Sequence, residues 1–194
     1  MGYLEANADC VAVGSRMLIM DAAGMPIRTL IDELDHETIE REHLRGIPCV
    51  RHSGVTMPRW AVLKVGGYDE KFIHAEDLDL FLRLAEIGKL RNIPQTLIDV
   101  RLHENSICGQ HFALGRQSAK RAAVDVAFAR RGLTPQPWKD TPARSRNETH
   151  RVWAWWALSE KNVATARKHA IAAFRSGPFN VENMRVLACA LRGH

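Results

Sequence analysis

Four short stretches of the sequence carry side chains suited to chemistry: His52-Ser53-Gly54, Gly66-Gly67, Glu76-Asp77 and His103. The acidic pair opens an apolar run in which Leu78, Phe81, Leu82 and Ala85 recur at helical spacing, with Leu80, Leu84 and Ile87 in the neighbouring stripe. That pattern predicts a largely buried helix starting at the pair. The N–H groups at a helix start favour negative charge, so a carboxylate there is kept ionised. An ionised carboxylate at the mouth of a core helix can take the proton of a substrate hydroxyl, although the same residues also suit a plain helix cap. His103, at the end of an extended stretch, can ligate a metal or bond to backbone. Asp77-Leu78-Asp79 spells a pair of carboxylates two residues apart, but on a helix such residues point about 200° from each other. They are not expected to share an ion, and Asp79 reads as an N-terminal charge on the helix.

The elements that must position these residues are legible in outline. Cys10–Met20 and Ile27–Ile31 flank the turn signal Asp21-Ala-Ala-Gly-Met-Pro26 and predict a hairpin. A short helix is expected from Asp35 to Leu44, with Asp35 as its cap, and another from Pro58, ended by Gly66 and Gly67. Gly88 reads as the C-cap of the central helix, and a strand follows between Leu90 and His103. A helix is expected from His111 to Arg131, with Ala119, Ala122, Ala123 and Val126 inside and Arg116, Lys120 and Arg130 outside. Leu133 to Asn147 holds three prolines and reads as a linker. Three short helical patterns follow, Val152–Ser159, Val163–Ser176 and Val181–Arg192. This tail is reminiscent of one tetratricopeptide unit, which stacks on something else to bury its faces. Trp153, Trp155 and Trp156 are expected to be packing residues. The segments are thus 1–109, a connecting helix 110–132, a linker 133–148 and a helical hairpin tail 149–194.

Hydrophobic residues are 46% of the 194 and charged residues 25%, a balance that excludes disordered and fibrous classes. The net charge of +5 is concentrated in the C-terminal half, between Arg116 and Arg151, where it reads as a solvated helix face. That segment has little aromatic interleaving and matches no reader motif, so nucleic acid is not an expected partner. Cys10, Cys49, Cys108 and Cys189 are widely spaced, without the paired spacing of a zinc site, and are expected to be reduced thiols of a cytosolic protein. The first residues lack a signal-peptide pattern, and no apolar run approaches the ~20 residues of a spanning helix. The expected location is cytoplasmic, peripheral at the inner membrane surface at most.

Taken in order, His52-Ser-Gly-Val-Thr-Met-Pro-Arg-Trp60, Val65-Gly-Gly-Tyr-Asp-Glu70, His74-Ala-Glu-Asp-Leu-Asp-Leu-Phe-Leu-Arg-Leu84 and Val100-Arg-Leu-His103 resemble the C-terminal half of family 2 glycosyltransferases of the GT-A fold. The resemblance covers roughly Leu4 to Ile107. It implies an α/β fold, a partial GT-A (Rossmann-like) mixed sheet with flanking helices, followed by the small α-helical tail. It also implies an inverting transfer of sugar from a nucleotide sugar to a glycan, lipid or protein hydroxyl. By motif match Asp77 is the expected base with Glu76 beside it. The loops at His52, Ser53 and Gly54 and at Gly66 and Gly67 border the substrates, and His103 joins the shell of a divalent cation, Mn²⁺ or Mg²⁺.

The resemblance further implies that the chain is truncated, because the nucleotide-binding half with its metal-binding D-x-D would precede Leu4. An open sheet edge or the helical tail would then favour a protein partner or an oligomer. The alternative to an enzyme is a non-catalytic interaction or scaffold module derived from a glycosyltransferase.

Overall fold

The computed structural model describes residues 2–30, 34–103, 113–138 and 144–194, with the backbone alone at 113–115. Cys108 and the expected residues Ile31, His111 and Phe112 of two elements lie outside the described residues, as does part of the expected linker. The elements are α1 (Gly2–Ala6), β1 (Cys10–Met20), β2 (Pro26–Leu30), α2 (His36–His43), α3 (Arg59–Lys64), α4 (Glu76–Ala85), β3 (Lys89–Arg101), α5 (Ala113–Arg130), α6 (Arg146–Ser159), α7 (Val163–Ser176) and α8 (Val181–Arg192). Three strands form one sheet in the order β2-β1-β3. β2 pairs antiparallel to β1, with Leu18 opposite Thr29. β3 runs with β1, since Lys89 N–H bonds Asp9 O at one end and Leu102 N–H bonds Met20 O at the other. The protein is therefore mixed α/β, a three-stranded mixed sheet with flanking and C-terminal helices. Among the described residues no helix is long and apolar enough to cross a membrane.

Two compact units share the long strands: residues 1–16, 31–98 and 111–141 form the first, and 17–30, 99–110 and 142–194 the second. The unit boundaries are cut differently from the sequence segments, because the hairpin end of β1 and β2 groups with the C-terminal helices. In the first unit α4 is buried on two sides. Leu80, Phe81 and Leu84 pack with Val11, Ile39 and Leu90, while Leu78 and Leu82 pack with Val124, Ala127 and Phe128 of α5. Double burial explains why its apolar residues fill two stripes and not one. Where β2 does not reach, β1 meets residue 56, and Val13 and Thr56 exchange backbone hydrogen bonds. Along β3, Leu90 and Asn92 donate N–H to His36 Nδ1 and Leu34 O, and Pro94, with no N–H to offer, suits that outer position.

Several expectations need correction. Gly88 is not the cap of α4, which is Glu86; glycine is needed because a Cβ would collide with Val11 and lie 2.9 Å from Asp9 O. Pro58 is the N-cap of α3, one residue before the helix. The inner face of α5 is Ala123, Val124, Ala127 and Phe128, whereas Ala122 and Val126 are exposed: burial against α4 chose a face the weak alanine pattern did not mark. Arg130 is exposed, as expected, and pairs with Glu86 at 3.0 Å, while Arg131 ties Glu40, Glu86 and Leu82 O together. Trp138, expected in a linker, packs like Leu44 against the cluster of Leu78, Leu82, Val124, Ala127 and Phe128, and stands so close to Gly46 that a Cβ there would strike its ring.

The second unit is built on small residues. Ala154, Ala157, Ala166, Ala170 and Ala190 surround Val186, letting α6, α7 and α8 approach closely. α6 begins at Arg146, earlier than expected, because Ser145 and Glu148 form a reciprocal capping box. The tail comprises three helices, α6, α7 and α8. It does stack on something: Glu160 accepts the N–H of Thr29 on β2 at 3.1 Å, and Arg28 lies 4.9 Å over the Trp156 ring. The outer edge of β2 is therefore partly covered rather than open. Trp153 and Trp155 are packing residues as expected, against His169 and the alanine cluster respectively.

Candidate active site

α4 starts abruptly. His74 sits at φ 72, a conformation few residues other than glycine adopt, and Ala75 follows as an N-cap with no side chain to offer. The orphan N–H groups of the first turn must find partners elsewhere, and Asp77 Oδ1 accepts the N–H of Leu78 at 2.8 Å. Asp77 is half-buried and Glu76 exposed. One oxygen of Asp77 is committed to the helix, and among the described residues Oδ2 makes no hydrogen bond. A carboxylate held at one oxygen and available at the other is the geometry a general base requires.

Asp79 belongs to a different circuit. It is 1% exposed, accepts from Arg83 Nε at 3.0 Å and lies 3.8 Å from Arg130. It is an acidic residue of the first helical turn, as expected, and in addition a buried ion-pair partner, so the two carboxylates of Asp77-Leu78-Asp79 do not converge. Arg83 in turn donates to Val65 O at 2.5 Å. That bond fixes the start of the glycine turn, where Gly66 and Gly67 take φ of 86 and 70 in succession. Nothing lies within 4 Å of a Cβ at either, so backbone conformation, not space, demands glycine. The turn and residues 68–71, with Arg83, line an open pocket of about 500 Å³.

The turn delivers Tyr68 to His52: the phenol oxygen is 2.7 Å from His52 Nε2, with the rings edge-on. Burial, then the negative charges of Asp77 and Glu76, push the Tyr68 hydroxyl above its ordinary range. It therefore stays a phenol near neutral pH, and when His52 carries its proton on Nδ1 the O–H donates to Nε2. His52, Tyr68, Glu76 and Asp77 thus come together from three separate stretches. Gly54 has a packing reason as well, because a Cβ there would run into Ile98. Ser53 is exposed beside it. His103 lies in the second unit, exposed just beyond β3. Among the described residues no group of three His, Cys, Asp or Glu side chains could hold a metal ion.

Two features escaped sequence reasoning. Tyr68 and Arg83 lay inside the quoted motifs, but only the fold shows that one reports the acidic pair and the other pins the glycine turn. The second is a cluster in the second unit. Asp21 accepts from Lys168 at 2.6 Å and from the N–H groups of Ala23 and Met25, and lies 3.2 Å from His169, whose Nδ1 is 2.9 Å from that of His150. Burial works against the Asp21 charge, but these hydrogen bonds outweigh it and its pKa is lowered. Burial, with His150 next, pushes His169 down to about 4. No periodicity links residues so far apart in the chain. Comparison with known protein families and with curated proteins finds no match to this chain.

Proposed function

We propose that this chain carries the base of an inverting sugar transfer, on the pattern of family 2 glycosyltransferases of the GT-A fold. The observation that supports it is the convergence of His52, Tyr68, Glu76 and Asp77 in one compact unit beside the glycine turn. In the proposed step an acceptor hydroxyl attacks the anomeric carbon, its oxygen bonding there as the bond to a nucleoside diphosphate breaks. The hydroxyl proton passes to Oδ2 of Asp77, while Oδ1 remains on the Leu78 N–H and holds the carboxylate's direction. Tyr68 and His52, as a hydrogen-bonded pair, orient the acceptor's remaining hydroxyls. Glu76, exposed and one residue earlier, adds negative field without the same anchoring.

A divalent cation, Mn²⁺ or Mg²⁺, would stabilise the leaving diphosphate in such a transfer. The described residues do not furnish a set of ligands for it, so no step is assigned to the ion, and His103 stands only as a single candidate ligand. The test is release of nucleoside diphosphate from a panel of nucleotide sugars by the longest polypeptide containing this chain, with and without glycan acceptors. Acceptor-dependent release is expected. Binding of no nucleotide sugar, together with retention of a protein partner, would replace the proposal with the scaffold alternative.

A further inference from the structure

α8 has two apolar faces, and the core uses one. Val186 and Ala190 pack against α6 and α7 with Asn183 beside them. Val181, Met184, Ala188 and Leu191 recur at spacings of three, four and three, which places them within about 80° of one another on the other side. All four are exposed, Val181 by 69% and Leu191 by 57%. Phe179, set between Gly177-Pro178 and the helix, is 94% exposed. Arg185 and Arg192, both exposed, run along one edge of this stripe, and Arg175 lies in the last turn of α7, four residues before Phe179. From residue 144 to 194 the chain has nine Arg and Lys against three Glu. All three acids are occupied, Glu148 in the capping box, Glu160 on Thr29 and Glu182 3.9 Å from Arg185.

We propose that α8, led by Phe179, docks the second unit on the surface of an anionic lipid bilayer. The charge of this helical tail decides between occupants. A second copy would bring two basic faces together, and a stripe on a helix about 18 Å long falls short of the roughly 800 Å² per partner that stable dimers bury. A bilayer asks for less: partial insertion of a narrow apolar strip, with Arg heads reaching the phosphates, suffices when anionic lipid supplies the attraction. α8 would lie in the plane of the interface, Phe179, Met184 and Leu191 downward. This inference is independent of the transferase proposal.

The test is sedimentation of the chain with vesicles of phosphatidylcholine alone or with about one quarter phosphatidylglycerol. Binding to the anionic vesicles is expected, falling steeply as salt rises from about 0.1 to 0.5 M. Leu191→Glu and Phe179→Ser should each weaken it about tenfold or more. Both sites are exposed, so circular dichroism should be unchanged, which separates lost docking from lost folding. Failure to bind anionic vesicles, or equal binding to neutral ones, overturns the proposal. So does sedimentation equilibrium showing a dimer that Leu191→Glu dissociates, which would assign the stripe to a second copy.

Discussion

Acidification should destabilise the first unit through His43. This side chain is 0% exposed, stacks on Phe81, and accepts the N–H groups of Cys49 at 3.0 Å and Val50 at 3.3 Å on one nitrogen, Nε2. A proton on Nε2 would displace both donors. Burial, with the nearby Arg51 charge second, pushes the pKa from 6.5 down to about 3. Because the folded value lies below the unfolded one, the stabilisation is whole above pH 6.5 and is lost as pH falls toward 3. At about 1.36 kcal/mol per unit, His43 alone loses about 2 kcal/mol by pH 5 and about 5 kcal/mol below pH 3. His43→Gln keeps an acceptor near the position of Nε2 and does not titrate. Urea unfolding followed by circular dichroism at pH 7 and pH 5 should show the variant losing about 2 kcal/mol less than the wild type over that interval. The slope that remains should include His169, whose pKa of about 4 acts with the same sign. A His43→Gln protein with the full wild-type pH dependence would refute this reasoning.

Asp79→Asn removes the charge that Arg83 and Arg130 face inside the protein, and should lower stability by about 3–5 kcal/mol in urea unfolding. A loss below about 1 kcal/mol would mean the pair is solvated. Gly67→Ala places a Cβ in open space but at φ 70, and should cost about 1 kcal/mol by backbone strain alone. Unchanged urea unfolding would show that the turn relaxes without penalty.

The central helix was the most legible part of the fold, because its apolar positions are dense enough to mark a helix buried on two sides. The hairpin was equally plain from β-rich strands around Asp21-Ala-Ala-Gly-Met-Pro26, and the structure adds why Asp21 is there: its Oδ1 accepts two N–H groups of the turn. α5 shows where the sequence fell short. Alanine is nearly indifferent to burial, so a helix with alanine on several sides does not declare its inner face until Leu78 and Leu82 supply the surface it packs on. The start of α6 is hidden in the sequence because the capping box of Ser145 and Glu148 lies beside a proline-rich stretch and ahead of the apolar pattern. Of the candidate site, the motif positions of Glu76, Asp77, His52, Gly66 and Gly67 were visible, but their convergence depends on Tyr68 and Arg83, contacts that local pattern does not encode. The Asp21–His169–His150 cluster was illegible for the same reason, being assembled from a turn and two helices.

The most direct test of the proposed chemistry compares Asp77→Asn with Glu76→Gln in the longest polypeptide that contains this chain. The readouts are acceptor-dependent nucleoside diphosphate release, donor binding by calorimetry, and circular dichroism. Asp77→Asn should cut transfer by about 10²–10⁴ while donor binding and fold persist, and Glu76→Gln should stay within about tenfold of wild type. Full transfer by Asp77→Asn would contradict the assignment of the base.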